Sequence, residues 1–328
     1  MKKNNSHLKL KLFFLLLLLF MFSCNNQKST KYPAEIQIIP SPKGLIKNPN
    51  NEALELKNTI SIYVEGQYSK KFYDLFTNNL KIIFSQNLNF KKSGNIDSDI
   101  SFNIDNSLNN EEYKIEIDKN VFITGGSYNA ISMAKSSLIQ MIKLKGNDNI
   151  ILPKSKIFDI PDSSYRGLMI DLSRMWHSLE SIRNVIDLAS FYKIKYLQLH
   201  LSDDQAFVFP TDSFPNLPTP DRPYTKNDFV ELVEYAKIRG VTIVPEIDVP
   251  GHSRQFIETY PEIFDVNNGI KKSNVINIAN EKIYKALDQI IAEVAEVFYN
   301  SPFIHMGADE AKLDLYKNVK EVKSFMYK

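Results

Sequence analysis

The sequence predicts an α/β protein: a partial TIM (β/α)8 barrel of about four βα units, preceded by a small α+β domain. Three observations predict it. From about residue 161, near-continuous apolar runs alternate with amphipathic helical stretches, the pattern of parallel strands covered by helices. The spacing between those strands grows, through about 28, 46 and 62 residues, because the later loops lengthen. Long loops on one side of a βα array mark the C-terminal face of a barrel, where such folds place their sites. Before residue 160, short apolar runs and helices mix with hairpin-like pairs instead.

The first 24 residues read as a lipoprotein signal peptide. Lys2, Lys3, Lys9 and Lys11 form a basic start, and "LFFLLLLLFMF" (12–22) is an apolar run of eleven. As a helix that run rises only about 16 Å, too short for a bilayer core of roughly 30 Å. The single cysteine, Cys24, stands where cleavage should fall, and "MFSC" resembles a bacterial lipoprotein signal whose cysteine takes the lipid. The expectation is a chain exported and anchored to the cell envelope by lipid at Cys24; the alternative is an ordinary signal ending near a chance cysteine. Residues 25–35 read as a polar tether.

Residues 36–160 form the α+β domain. "IQIIP", "TISIYVEG", "DISFNID", "YKIEI" and "VFITGG" read as strands, and "SKKFYDLFTNNLKIIF" and "YNAISMAKSSLIQMIKL" as helices with apolar residues three and four apart. No catalytic constellation is visible here, and the apolar residues read as core. "FDIPDSSYRG" (158–167) marks the boundary. In the barrel portion, 161–328, the strands are "GLMIDLS" (167–173, read as buried), "IKYLQLHLS" (194–202), "VTIVPEID" (241–248) and "FIHMGADE" (303–310). The intervening helices are 178–193, 226–240 and 281–299.

All four strands end in polar groups: Asp171 and Arg174; His200, Asp203 and Asp204; Glu246, Asp248 and His252; His305, Asp309 and Glu310. Buried strands seldom carry charge unless it is paired, so four such ends predict one polar pocket. Helix N-capping explains one or two of these acids, such as Asp203, but not all four ends. Asp309 and Glu310 share a face only where a strand is ending, and two close carboxyls favour keeping one protonated as a general acid. Gly307 leaves room for a ligand or another backbone. A divalent metal is the competing use of such a cluster, but the spacings H-x-H and H-E-x-x-H are absent, and no metal or other cofactor is predicted. Net charge is +2, from 40 basic and 38 acidic residues, which gives no bulk argument for a nucleic-acid partner.

"RGLMIDLSR", "LQLHLSDDQ", "VPEIDVPGHS" and "HMGADE", in that order, resemble glycoside hydrolase family 20, the β-N-acetylhexosaminidases. The resemblance spans about 165–310, and the α+β domain resembles the non-catalytic domain those enzymes carry ahead of the barrel. It implies removal of terminal GlcNAc or GalNAc from glycans by a retaining, substrate-assisted route, in which the sugar's own acetamido oxygen is the nucleophile. It further implies Glu310 as the general acid, Asp309 as the group orienting the acetamido, and Arg174 as the ligand of the sugar hydroxyls. Asp203 and His252 match a relay behind Glu310, and His200 and Asp248 match supporting positions.

The sequence departs from that family in length. Tyr165 to Lys328 is 164 residues, against roughly 200 to 250 for eight βα units. The family's pocket is walled by tryptophans and closed by groups from strands five to eight, whereas Trp176 is the only tryptophan here. Three expectations stand open: a fragment or frameshifted gene; a half completed by a second copy or a separately encoded half; or a non-catalytic glycan-binding surface lipoprotein.

Overall fold

The computed structural model describes residues 30–266, 273–317 and 319–327. The predicted signal stretch and Cys24 lie outside the described residues. Among the described residues, no helix is long and apolar enough to cross a membrane.

The first domain is built on a mixed sheet of seven strands. They are β1 (Gly44–Lys47), β3 (Thr59–Val64), β4 (Asn89–Lys92), β5 (Ile100–Ile104), β6 (Tyr113–Ile117), β7 (Val121–Gly125) and β10 (Ser155–Asp159), in the order β1-β10-β6-β7-β5-β3-β4. A smaller sheet holds β2 (Ala53–Leu56), β9 (Asn149–Pro153) and β8 (Lys143–Lys145). In β6, Tyr113, Ile115 and Ile117 are buried while Lys114 and Glu116 face solvent, the period of two that the sequence shows. Helices α1 (Ser69–Ile83) and α2 (Tyr128–Met141) cover the apolar face. The "IQIIP" segment is not a strand. Pro40 has no amide to give a ladder, and both the amide and the carbonyl of Ile39 bond instead to the side chain of Gln140, at 2.7 and 3.0 Å.

The second domain holds three parallel strands: β11 (Gly167–Asp171), β12 (Tyr196–His200) and β13 (Thr242–Glu246). Helices α3 (Leu179–Phe191), α4 (Lys226–Ile238) and α7 (Glu281–Val297) follow them, with the short α5 (Arg254–Thr259) and α6 (Pro261–Phe264) between. A 3-10 turn (Leu313–Tyr316) and α8 (Lys320–Met326) lie beyond. Each long helix starts at a side-chain cap: Ser178, the Thr225–Asp228 capping box, and Asn280. Leu197, Leu199 and Ile243 face those helices and are buried with Ile186, Phe229 and Ile290.

Two expectations about strands are corrected. β11 is not buried: Leu168 and Met169 are 41% and 52% exposed, because β11 is the sheet's edge and, among the described residues, no strand pairs beyond it. "FIHMGADE" does not form a regular strand. It meets β13 in one parallel bridge, Glu246 to His305, and the amides of Ile247 and Val249 donate to the carbonyls of His305 and Met306. Gly307, Ala308 and Glu310 then take positive φ, 60°, 72° and 49°, which turns the chain off the ladder.

Small polar residues on α2 fasten the domains together. The hydroxyl of Ser132 donates to the carbonyl of Arg239 at 2.9 Å, and that of Ser136 to the carbonyl of Ser190 at 2.9 Å. Tyr128 donates to the carbonyl of Ile238 at 2.7 Å. These are carbonyls at the C-terminal ends of α3 and α4, which lack partners within their own helices. Beside them the buried ammonium of Lys193 reaches Asp159 at 3.2 Å and Tyr113 at 2.9 Å. Breaking a buried pair strands the remaining charge. Lys193→Met is therefore expected to lower stability by about 3 kcal/mol, read from urea unfolding.

Candidate active site

The register of the parallel sheet brings the strand ends level. Asp171 pairs with His200, and His200 with Glu246. The turn after β12 closes on itself, with the amide of Asp203 on the carbonyl of Ala206 at 2.8 Å, and tips Asp203 back over the strand ends.

Asp203 is buried and is the centre of the cluster. Its Oδ2 lies 2.7 Å from Nη2 of Arg174 and 3.1 Å from Nε2 of His200. Its Oδ1 accepts from the Asp204 amide at 2.5 Å and faces Nδ1 of His252 at 3.4 Å. Burial opposes ionisation of Asp203, but His200, the Asp204 amide, His252 and Arg174 together outweigh it and hold the carboxyl down at about 2. The N-capping reading of Asp203 does not hold, because its oxygens go to the other strand ends. Asp204 is the acid that serves the loops, holding the Arg254 amide at 3.2 Å and the Asn274 side chain at 3.1 Å.

His200 has carboxylates on both ring nitrogens: Asp203 on Nε2, and Glu246 on Nδ1 at 2.9 Å. Burial disfavours its cation, yet these two acids push its pKa up to about 10, so the ring is doubly protonated at neutral pH. Glu246 is also held by Gln198 at 2.7 Å and by Nδ1 of His305 at 3.1 Å. That same nitrogen lies 3.0 Å from the Gly307 amide. It cannot donate to one and accept from the other, and the ionised carboxylate claims the proton.

Nε2 of His252 is buried and makes no hydrogen bond. It faces Oε2 of Glu310 at 3.5 Å and Oδ2 of Asp309 at 4.0 Å. The two adjacent carboxyls therefore do converge on one point, although their side chains are 66% and 77% exposed. The turn off the ladder brings them together: Ala308 and Glu310 sit in the left-handed region on either side of Asp309.

Asp248 is fully buried beneath that turn, with Oδ1 accepting from the Ala308 amide at 2.9 Å and Oδ2 unpartnered. Burial pushes its pKa up to about 6, helped by Asp309 and opposed by the Ala308 amide and His252. Gly307 is needed for this packing, since a Cβ there would stand 2.0 Å from Oδ1 of Asp248. The close neighbour expected at Gly307 was a ligand or another backbone; it is this carboxyl.

All seven residues singled out in this cluster, Arg174, His200, Asp203, Asp248, His252, Asp309 and Glu310, come together. Glu246, Gln198 and His305 complete it. Glu246 and His305 were expected at this rim as strand-end groups, whereas Gln198 reads as a lone polar residue in an apolar strand. Several triads here, such as Asp171, His200 and Asp203, have ligand atoms within 4.8 Å of one another. Both nitrogens of His200 are already committed as donors to carboxylates, so those two triads that share it offer only oxygen.

Two measurements test this geometry. His200 gains its proton affinity on folding, so its stabilising contribution is complete below about pH 6.5 and fades as pH rises toward 10. The urea midpoint is expected to fall from pH 7 to pH 10, and to fall less steeply in His200→Gln. In the turn, Gly307→Ala is expected to cost about 2 kcal/mol or more, by collision with Asp248. Ala308→Gly should instead gain about 0.5 kcal/mol by relieving a left-handed alanine.

Comparison with known proteins agrees with this architecture. Residues 164–328 match the model of the glycosyl hydrolase family 20 catalytic domain, and residues 35–160 match domain 2 of the same family. A beta-hexosaminidase of Vibrio furnissii is 31% identical over 250 residues, 67% of this chain and 41% of that protein. One of Porphyromonas gingivalis is 26% identical over 333 residues, 92% of this chain and 42% of that protein. Among solved structures, an exo-β-N-acetylglucosaminidase of Vibrio harveyi in complex with N-acetylglucosamine superposes with a TM-score of 0.78 at 23% identity, covering 92% of this chain and 52% of that one. A β-N-acetylhexosaminidase of Bacteroides fragilis gives 0.75 at 24% identity, covering 88% and 59%. The chain thus spans about two fifths of these curated relatives and rather more than half of these solved chains. Two family models in tandem, meeting the chain at both of its domains, place it plainly: it belongs to glycosyl hydrolase family 20.

Proposed function

We propose that this chain carries the acid-handling part of a β-N-acetylhexosaminidase, acting on terminal GlcNAc or GalNAc of glycans. The observation that carries the reading is the contact sequence Arg174–Asp203–His252–Glu310, with Asp309 beside Glu310 on the same imidazole nitrogen. In this reading Arg174 holds the sugar hydroxyls with the part of its guanidinium left open, its side chain being half exposed. Asp309 orients the acetamido group. The acetamido oxygen attacks the anomeric carbon as the glycosidic C–O bond breaks, and Glu310 gives its proton to the leaving oxygen. Water then opens the oxazoline-type intermediate, losing a proton to the Glu310 carboxylate, with net retention. His200, Asp248 and the Asp203–His252 pair support the acid from behind.

The expected partners are an N-acetylhexosamine-bearing glycan and a membrane, the latter through lipid at Cys24, placing the protein on the bacterial envelope. A second copy or a separate barrel half is a further partner of this reading, which the open edge of β11 supports. One observation favours a second function, glycan binding without turnover: Glu310 and Asp309 stand largely in water, where a carboxyl acts only weakly as an acid catalyst.

Release of 4-nitrophenol from its N-acetyl-β-glucosaminide separates these. Hydrolysis by the wild-type chain that falls at least ~100-fold in Glu310→Gln supports the enzyme. Asp309→Asn should lose nearly as much. Normal turnover in Asp309→Asn would return the two-carboxylate scheme. No turnover, with GlcNAc binding equal in wild type and Glu310→Gln, would establish the binder.

A further inference from the structure

The last residues of the strands and the bridge beside them form a row that alternates carboxyl and imidazole across the sheet: Asp171, His200, Glu246, His305. Cross-strand neighbours of opposite charge support one another. Here the row does more, because its central histidine touches the carboxylate behind the acid. We propose that Glu246 is a positioning residue for Glu310. By holding a proton on Nδ1 of His200 it makes that ring a double donor, whose Nε2–H occupies Oδ2 of Asp203. Oδ1 is then left to orient the Nδ1–H of His252, so that Nε2 of His252 faces Glu310.

Each link is a contact. Glu246 Oε2 lies 2.9 Å from His200 Nδ1, His200 Nε2 3.1 Å from Asp203 Oδ2, Asp203 Oδ1 3.4 Å from His252 Nδ1, and His252 Nε2 3.5 Å from Glu310 Oε2. Glu246 itself is fixed by Gln198 and His305, so it cannot swing away. Other acids face His200 too. Asp171 is engaged by Arg174 and by the amides of Ser173 and Arg174. Asp248, under the turn, is unpartnered on one oxygen. Only Glu246 and Asp203 touch the ring nitrogens.

Removing the Glu246 charge changes the whole line. A buried imidazole with one carboxylate no longer keeps two protons as firmly. Once neutral with its proton on Nδ1, it turns a lone pair toward Asp203. The uncompensated charge of Asp203 then falls on His252 and strengthens the attraction for a second proton on that ring, at the nitrogen that faces Glu310.

This inference rests on Glu310 being the acid of the proposed reaction, but its test needs no turnover. Long-range 1H–15N correlation spectra of 15N-labelled protein read the protonation of each imidazole nitrogen, with His200→Gln and His252→Gln giving the assignments. In wild type, His200 is expected to carry two protons from pH 5 to 9. In Glu246→Gln it should titrate inside that window, and the titration of His252 should move upward. Glu246→Asp, which keeps the charge, should restore a doubly protonated His200. A wild-type His200 that titrates near the ordinary histidine value of about 6.5 overturns the proposal without any variant. So does a Glu246→Gln protein in which His200 titrates and His252 does not move. Absence of hydrolysis with these titrations intact would sink the proposed reaction alone.

Discussion

A buried carboxylate with four donors organises the second domain. Asp203 would be costly in the protein interior unless its charge were met. It is met from three directions: Arg174 beyond β11, His200 at the end of β12, and His252 in the loop after β13, together with the neighbouring Asp204 amide. None of these elements is local to another in sequence. Their common demand on one carboxylate fixes the height of the strand ends and the path of the loops above them. The tight turn after β12, which aims Asp203 inward, is the local structure on which that arrangement depends.

The parts that were legible in the sequence are those governed by period. The strand and helix positions of the βα units follow from apolar residues at spacings of two and of three to four, and the three long helices begin at caps the sequence spells out. The convergence of polar strand ends was legible for the same reason, since parallel strands in register must bring their C-terminal ends level. What periodicity does not encode is backbone that leaves a ladder. "FIHMGADE" has a strand's apolar start, but positive φ at Gly307, Ala308 and Glu310 is a property of the turn and of the Asp248 carboxyl packed inside it. Nor did the pattern distinguish Asp203 from Asp204, adjacent acids of which one serves the site and the other the loops. The seam between the domains was hidden as well. Ser132 and Ser136 look like ordinary small residues of an amphipathic helix until the carbonyls they satisfy, on the far domain, are in view.

Depth separates two kinds of chemistry in the cluster. His200, Asp203, Glu246 and Asp248 are buried, so their mutual electrostatics are strong and their protons are set by their neighbours. Arg174, Asp309 and Glu310 stand at the mouth and are half or more exposed. Their interactions with a sugar depend on whether water is displaced around them, because the same charges act far more weakly in a high dielectric. The ring of Trp176 stacks on Tyr224, 6.3 Å between centroids. A ligand or a covering surface thus has most of its effect on the three outer groups and little on the inner four.

Charge balance explains why one inner acid behaves unlike the rest. Asp203 and Glu246 share the His200 cation, and Arg174 adds a second positive charge on Asp203. Asp171 is satisfied by the Ser173 and Arg174 amides and by Arg174. Among the described residues no cation forms a salt bridge with Asp248, and the Ala308 amide is its one hydrogen-bond donor. A buried carboxyl in that position has two ways to avoid an unpaired charge: recruit a cation or keep its proton. The close packing of Gly307 against it, with no room for even a methyl group, closes that side of the carboxyl. Its pKa is raised to about 6, so the carboxyl takes up its proton below that pH and carries its charge at neutrality. The turn that brings Asp309 and Glu310 together is therefore built over a carboxyl whose charge changes just below neutrality. Ionising it sets a second negative charge near Asp309, so the geometry of the mouth and the protonation of its foundation are coupled.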